Sequence, residues 1–165
     1  MPNDTLIKCS LWRWWCICRQ LKKRGRGIHE SGAFLLGKDK GDVKQICLAV
    51  YYDDIDPDAL STGIVRLKGS ATSEVWRVCR ETGLQVVADV HTHPGRSGQS
   101  KSDKEHPMIS MKGHVALILP QFAQSPFNFS KVGVYGYCGA KNWTTCPPPK
   151  LHWLTVLFEV NYESR

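Results

Sequence analysis

A chain of 165 residues with 42% hydrophobic side chains has room for one packed core and too little for two, which excludes a multidomain arrangement and gives a single domain over residues 1–165. A formal net charge of +7 is compatible with an acidic partner, a nucleic acid or an anionic membrane surface, and charge alone selects none of them. Seven cysteines without the dense, regular spacing of a secreted disulfide scaffold point to a reducing compartment and a cytoplasmic protein.

In chain order, Leu11, Trp14, Trp15, Cys18 and Leu21 recur at helical spacing while Arg13, Gln20 and Arg24 fall off that face, which predicts a first helix ending near Gly25. Trp12, Trp14, Cys16 and Cys18 also alternate as a strand would. The apolar stretch precedes the basic cluster Lys22, Lys23, Arg24 and Arg26, the reverse of a secretory signal. No apolar run approaches the roughly 20 residues of a membrane span. A Trp-rich basic helix can lie in a membrane interface, but packing against a sheet is the preferred reading.

Residues 32–37 (GAFLLG) and 45–52 (QICLAVYY) are short apolar runs joined by a polar turn over 38–44, the pattern of a hairpin. The acidic stretch 53–58 invites a calcium reading. A loop starting at Asp54 would put Ala59 at the glycine position and Val65 at the bidentate glutamate position, so a solvated turn is expected. Ser70 or Thr72 can cap a helix running to about Thr82, with Val75, Val78, Cys79 and Thr82 inward and Gly83 ending it. Residues 85–91 (QVVADVH) form a strand leading into Thr92, His93, Pro94 and the small polar loop GRSGQSKS. A short helix over 103–111 is expected next, then strands over 114–119, 131–137 and 151–160, the last two separated by the stiff Pro147, Pro148, Pro149 spacer. The sum is a mixed α/β domain with one central sheet.

His91 and His93 stand two apart at a strand's end, so both imidazoles project to the same side with Thr92 opposite. A catalytic zinc site takes three protein ligands and keeps a fourth position open. Asp103, at the start of the next helix, can supply a carboxylate once the glycine-containing loop curls back. A proton shuttle beside the site calls for a carboxylate that is not itself a ligand. Glu30, between Gly27 and Gly32 where helix gives way to strand, is the choice, although spacing alone does not separate it from Glu74, Glu81 or Glu105. The bland readings are specific too. Ser100, three residues before an acid, is nearly a capping box and can simply start a helix. Cys9, Cys16 and Cys18 lack the paired spacing and fourth ligand of a structural zinc and read as buried thiols, and Cys79 reads as core. His29, His106 and His114 read as hydrogen-bonding bystanders.

His91-Thr92-His93-Pro94 followed by Ser100-x-x-Asp103, with Glu30-Ser31-Gly32-Ala33-Phe34-Leu35-Leu36-Gly37 upstream, resembles the JAMM signature of the JAB/MPN metallopeptidases in its compact prokaryotic form. The resemblance runs from about His29 to Trp143, where Val132-Gly133-Val134-Tyr135 resembles the family's late strand. It implies a twisted mixed sheet flanked by helices, related to the cytidine-deaminase architecture. It implies one catalytic zinc ion on His91, His93 and Asp103, with Glu30 shuttling the proton of the attacking water and Ser100 stabilising the oxyanion. The implied activity is that of a deubiquitinase-like peptidase or isopeptidase cleaving after the C-terminal glycine of a ubiquitin-like protein. Implied partners are that protein or its conjugates and the E1-like and E2-like proteins of a bacterial conjugation or antiphage defence system. The competing reading is a non-catalytic JAB module, either a scaffold or a RadC-like domain linked to DNA. Scaffold members usually lose ligands, whereas every motif position is intact here, and the basic residues lack a recognition-helix or aromatic-rich RNA motif. Nucleic acid and membrane are therefore not expected partners.

Overall fold

The structure is a computed structural model that describes residues 4–162. Strand β1 (Asp4–Ser10) leads into helix α1 (Leu11–Gly25), and a hairpin of β2 (Gly32–Asp39) and β3 (Val43–Tyr51) is followed by the single turn α2 (Tyr52–Ile55) and by α3 (Gly69–Thr82). Then come β4 (Gln85–Thr92), the short α4 (Lys101–Glu105), β5 (Val115–Leu119), β6 (Gly133–Gly139), β7 (Asn142–Cys146), β8 (Lys150–His152) and β9 (Thr155–Asn161). These strands form one sheet in the order β7-β6-β5-β4-β2-β3-β1-β9-β8. It is mixed: β4 runs antiparallel to β2 and parallel to β5, and β1 runs parallel to β3 and antiparallel to β9. It also curls. β9 touches β6 and β7 across the sheet order, and the Tyr162 hydroxyl donates to the Gly113 carbonyl at 2.6 Å.

Both faces of the sheet's centre are covered, which is why β2 reads as a continuous apolar run instead of an alternating one. On one face α1 inserts Trp14, Ile17, Cys18 and Leu21 against Ile7, Leu35, Val90, Leu117 and Phe158. Trp14 is fully buried and its indole N–H donates to the Pro126 carbonyl at 2.7 Å. The helix starts where the Ser10 hydroxyl accepts the Arg13 N–H, and stops where Arg26 turns left-handed and donates to Lys22. On the other face α3 and its flanking loop close over Phe34, Leu36 and Tyr52 with Val75.

The structure corrects the sequence reading at several elements. β1 and β7 were not foreseen. The strand expected over 151–160 is a hairpin, β8 and β9, broken at Trp153, whose φ is 53° and whose side chain is exposed along with Leu154. The helix expected over 103–111 begins earlier, at Lys101, and stops at Glu105, because Pro107 cannot continue it. α3 is capped neither by Ser70 nor by Thr72: its N-cap is Lys68, whose N–H is taken by the Asp56 carboxylate at 2.9 Å. The inward stripe of α3 ends at Cys79, and exposed Thr82 returns its hydroxyl to the Val78 carbonyl. The acidic stretch is only partly solvated. Asp53 and Asp54 pair with Arg24, while Asp56 is buried and also accepts the Asp58 N–H.

Candidate metal centre

Strand β4 lies inside the sheet, with His91 level with Gly32 of β2 and Ile118 of β5. Its alternation sends Ala88, Val90 and Thr92 toward the α1 side and leaves Asp89 and His91 on the other. Thr92 secures the strand's end. Its N–H donates to the Ser31 carbonyl and its hydroxyl accepts the Ser31 N–H, each at 2.9 Å, while the Ser31 hydroxyl donates to Leu21 in α1 at 2.7 Å. His93 is held by donating its N–H to Leu119, at the end of β5. Gly32 is required opposite His91: a Cβ there would fall 2.3 Å from the Tyr52 ring and 2.8 Å from the Val90 carbonyl.

After His93 the chain loops out and returns through α4. Tyr135 ties the loop down by donating its hydroxyl to the Ser97 carbonyl at 2.7 Å, and the Trp143 indole N–H donates to Lys104 at 3.2 Å. A complete capping box starts α4: the Ser100 hydroxyl accepts the Asp103 N–H at 3.1 Å and the Asp103 carboxylate accepts the Ser100 N–H at 2.6 Å. That second bond fixes the carboxylate's orientation. The capping reading of Ser100 is thus present in the structure, with Ser100 itself exposed.

The three side chains singled out in the sequence converge. His91 Nε2 lies 3.1 Å from His93 Nε2 and 3.3 Å from Asp103 Oδ1, and His93 Nε2 lies 3.2 Å from Asp103 Oδ2. Bonds of about 2.0 Å to a tetrahedral metal ion put any two donors about 3.3 Å apart, so the triangle has the edge lengths of three tetrahedral corners. Both imidazoles are buried and the carboxylate is partly so. A negative ligand beside two neutral nitrogens, shielded from bulk water, fits a divalent cation. Asp103 is held well below the usual carboxylate range: burial opposes its charge, but His91, His93 and the Ser100 N–H outweigh that. Burial likewise pushes His91 down, and the Asp103 and Asp89 carboxylates more than reverse it, raising the imidazole to about 9.

Glu30 belongs to the same electrostatic neighbourhood. Its backbone N–H donates to Gly63 at 2.8 Å, and its half-buried carboxyl is pushed up by burial against the lowering charges of His93 and His91 and the Val65 N–H. A carboxyl poised above its ordinary range is suited to taking and returning a proton. A narrow hollow beside His91 and Asp103 is lined by Gln99, His106, Met108 and Trp143. His29 joins none of this, and its Nδ1 is buried without a partner. All seven cysteines are free thiols outside the triad. One feature escaped the sequence reading: beneath His91 lies the buried Asp89, bonded to His114 and Tyr52. An acid in the apolar run QVVADVH, two residues before His91, was the available signal. His114 is a hydrogen-bonding residue as expected, with a specific partner.

No protein-family model matches the sequence. The chain is 36% identical over 73 residues to a probable metalloprotease, y4jG, of Sinorhizobium fredii (strain NBRC 101917 / NGR234), a match covering 44% of each protein. The chain thus spans less than half the length of this curated relative. Among solved structures, protein DSY2949 from Desulfitobacterium hafniense superposes with a TM-score of 0.53 at 13% identity, covering 84% of this chain and 88% of that one. A protein from Salinibacter ruber (strain DSM 13855) gives 0.49 at 15% identity, covering 79% and 84%. The first of these shows a shared fold and nothing about chemistry. Part of the chain is thus similar to a probable metalloprotease, and the structure brings His91, His93 and Asp103 together at metal-site dimensions as a candidate metal centre.

Proposed function

We propose that this chain is a zinc peptidase of the JAB/MPN type that cleaves after the C-terminal glycine of a ubiquitin-like protein, releasing it from a conjugate or trimming its precursor. The observation that carries the reading is the convergence of His91, His93 and Asp103 at tetrahedral spacing within the electrostatic reach of Glu30. Similarity to a probable metalloprotease supports it. Bound by these three side chains, zinc would act as a Lewis acid toward the scissile carbonyl and make water acidic enough to attack near neutral pH.

The chain's own residues supply the rest. Glu30, its carboxyl raised by burial, takes the proton of the attacking water and returns it to the leaving amine. Ser100, exposed at the start of α4, donates its hydroxyl to the developing oxyanion while the helix keeps Asp103 aimed. The hollow beside the triad is narrow, which suits a glycine-ended tail whose backbone can approach closely. A cytoplasmic conjugation or antiphage defence system with E1-like and E2-like proteins is the setting in which such a tail would be met.

The test is cleavage of a ubiquitin-like protein fused through its terminal glycine to a reporter. Cleavage should vanish with a strong chelator, persist after iodoacetamide, and slow strongly when the terminal glycine becomes a bulky residue. Chelator-resistant, alkylation-sensitive cleavage would overturn the mechanism, and equal rates on both tails would overturn the substrate assignment.

A further inference from the structure

The site contains a buried carboxylate for which the hydrolytic steps above have no use. Asp89 is 2% exposed on the interior strand β4, two residues before His91 and on the same side of the sheet. Its Oδ1 is 2.5 Å from His114 Nε2, and its Oδ2 accepts the Tyr52 hydroxyl at 3.3 Å. Both partners are buried as well. Such a group, costly to bury, is compensated by two buried donors, of which His114 is the closer.

What that place faces is His91. The nitrogen that His91 turns toward His93 and Asp103 is Nε2. For Nε2 to offer a lone pair to a metal ion, the neutral ring must carry its proton on Nδ1. Nδ1 is buried without a hydrogen-bond partner, and Asp89 Oδ2 stands 3.8 Å from it, just beyond bonding distance. A small rotation of the imidazole closes that gap. The geometry points to Asp89 as the positioning residue of His91: its Oδ2 accepts a hydrogen bond from the Nδ1–H and so keeps Nε2 free for the metal ion, while His114, bonded to Oδ1, holds the carboxylate in place. Ligating histidines commonly need such an outer partner to fix ring and tautomer. The inference rests on reading His91, His93 and Asp103 as a metal site.

Oδ2 faces both Tyr52 and His91, so two variants separate their roles. In Asp89→Asn the amide can present an N–H to His91, favouring the tautomer protonated on Nε2, so zinc affinity of the full chain, read by competition with a coloured chelator, should fall about 10- to 100-fold. Tyr52→Phe keeps the ring and leaves Oδ2 to His91 alone, so its melting temperature should drop while its zinc affinity holds. A network acting only through packing would weaken zinc in both. Long-range nitrogen–proton NMR of the zinc-loaded parent provides a readout that needs no variant: His91 should be protonated at Nδ1 with a low-field, hydrogen-bonded proton. An Asp89→Asn protein that binds zinc like the parent, a Tyr52→Phe protein that loses zinc equally, or a zinc-loaded His91 protonated on Nε2 would each overturn the assignment. A parent chain that binds no zinc would remove it together with the site itself, a failure distinct from the other three.

Discussion

Two carboxylates share the electrostatics of the candidate site, and the proposed function gives them different work. Asp103 is aimed by the capping box and held ionised by two imidazoles, the condition of a ligand. Glu30 is raised by burial, the condition of a proton carrier. Asp103→Ala should therefore abolish zinc binding and cleavage together, because it removes the negative ligand. Glu30→Gln keeps the shape and all three ligands, so zinc content should stay at the parental level while cleavage drops about a hundred- to ten-thousand-fold. Metal analysis and cleavage on both variants decide it: a Glu30→Gln protein that has lost its metal, or cleaves like the parent, would refute the division of labour. The histidine pair was legible in sequence because strand alternation carries His91 and His93 to one side without any tertiary knowledge. Asp89 was not, since its partner His114 comes from the loop just before β5 and Tyr52 from the first residue of α2. Only the sheet order brings them under one imidazole.

Among the elements, α1 shows how far periodicity reaches. Its helical spacing and its end near Gly25 were readable, as was the inward face through Trp14, Cys18 and Leu21. The neighbours Trp12, Trp14 and Trp15 are alike in composition, but helical geometry separates them: Trp14 is fully buried, whereas Trp12 is 72% exposed and stacks on Trp15. Trp14→Ala should accordingly cost about 3–5 kcal/mol, while Trp12→Ala should stay within about 0.5 kcal/mol. Urea unfolding of the two variants checks this, and equal losses would mean that the helix docks on another face. Other elements were illegible for local reasons. β7 is a five-residue edge strand, NWTTC, with no apolar run to announce it. The break in the last hairpin falls between Leu151 and Val156 on Trp153 and Leu154, apolar residues that carry no turn signal. The N-cap of α3 is Lys68, held by an N–H bond to Asp56 twelve residues earlier and carrying no side-chain cap, which no local capping motif announces.

At the scale of the molecule, the mixed α/β class and the single sheet followed from the runs of strands and helices, but the strand order did not, because β1 pairs with β3 and β9 across long stretches of chain. That order matters for the site: β4 lies between β2 and β5, so the strand bearing His91 and His93 is braced on both sides, and α4 must fold back over its end to bring Asp103 in. The triad exists only when the sheet and α4 are both assembled. Zinc bound there should therefore stabilise the whole fold by linkage, since the unfolded chain has no preformed site. At a free concentration a hundred times the dissociation constant the gain is about 2.7 kcal/mol. For a domain of this size each kcal/mol raises the melting temperature by about 2–4 °C, so zinc should raise it by about 5–10 °C. Six histidines and seven cysteines give the unfolded chain some affinity of its own, which trims the shift toward the lower figure. His93→Ala isolates the site's share, because it removes one ligand and leaves the cysteines and the other histidines unchanged. Its melting temperature should not rise across a zinc titration, and in chelator it should match the parent's, less the cost of the lost side chain. A parent that melts at the same temperature with and without zinc, or a His93→Ala protein that gains as much as the parent, would show that the convergence of these three side chains does not hold a metal ion.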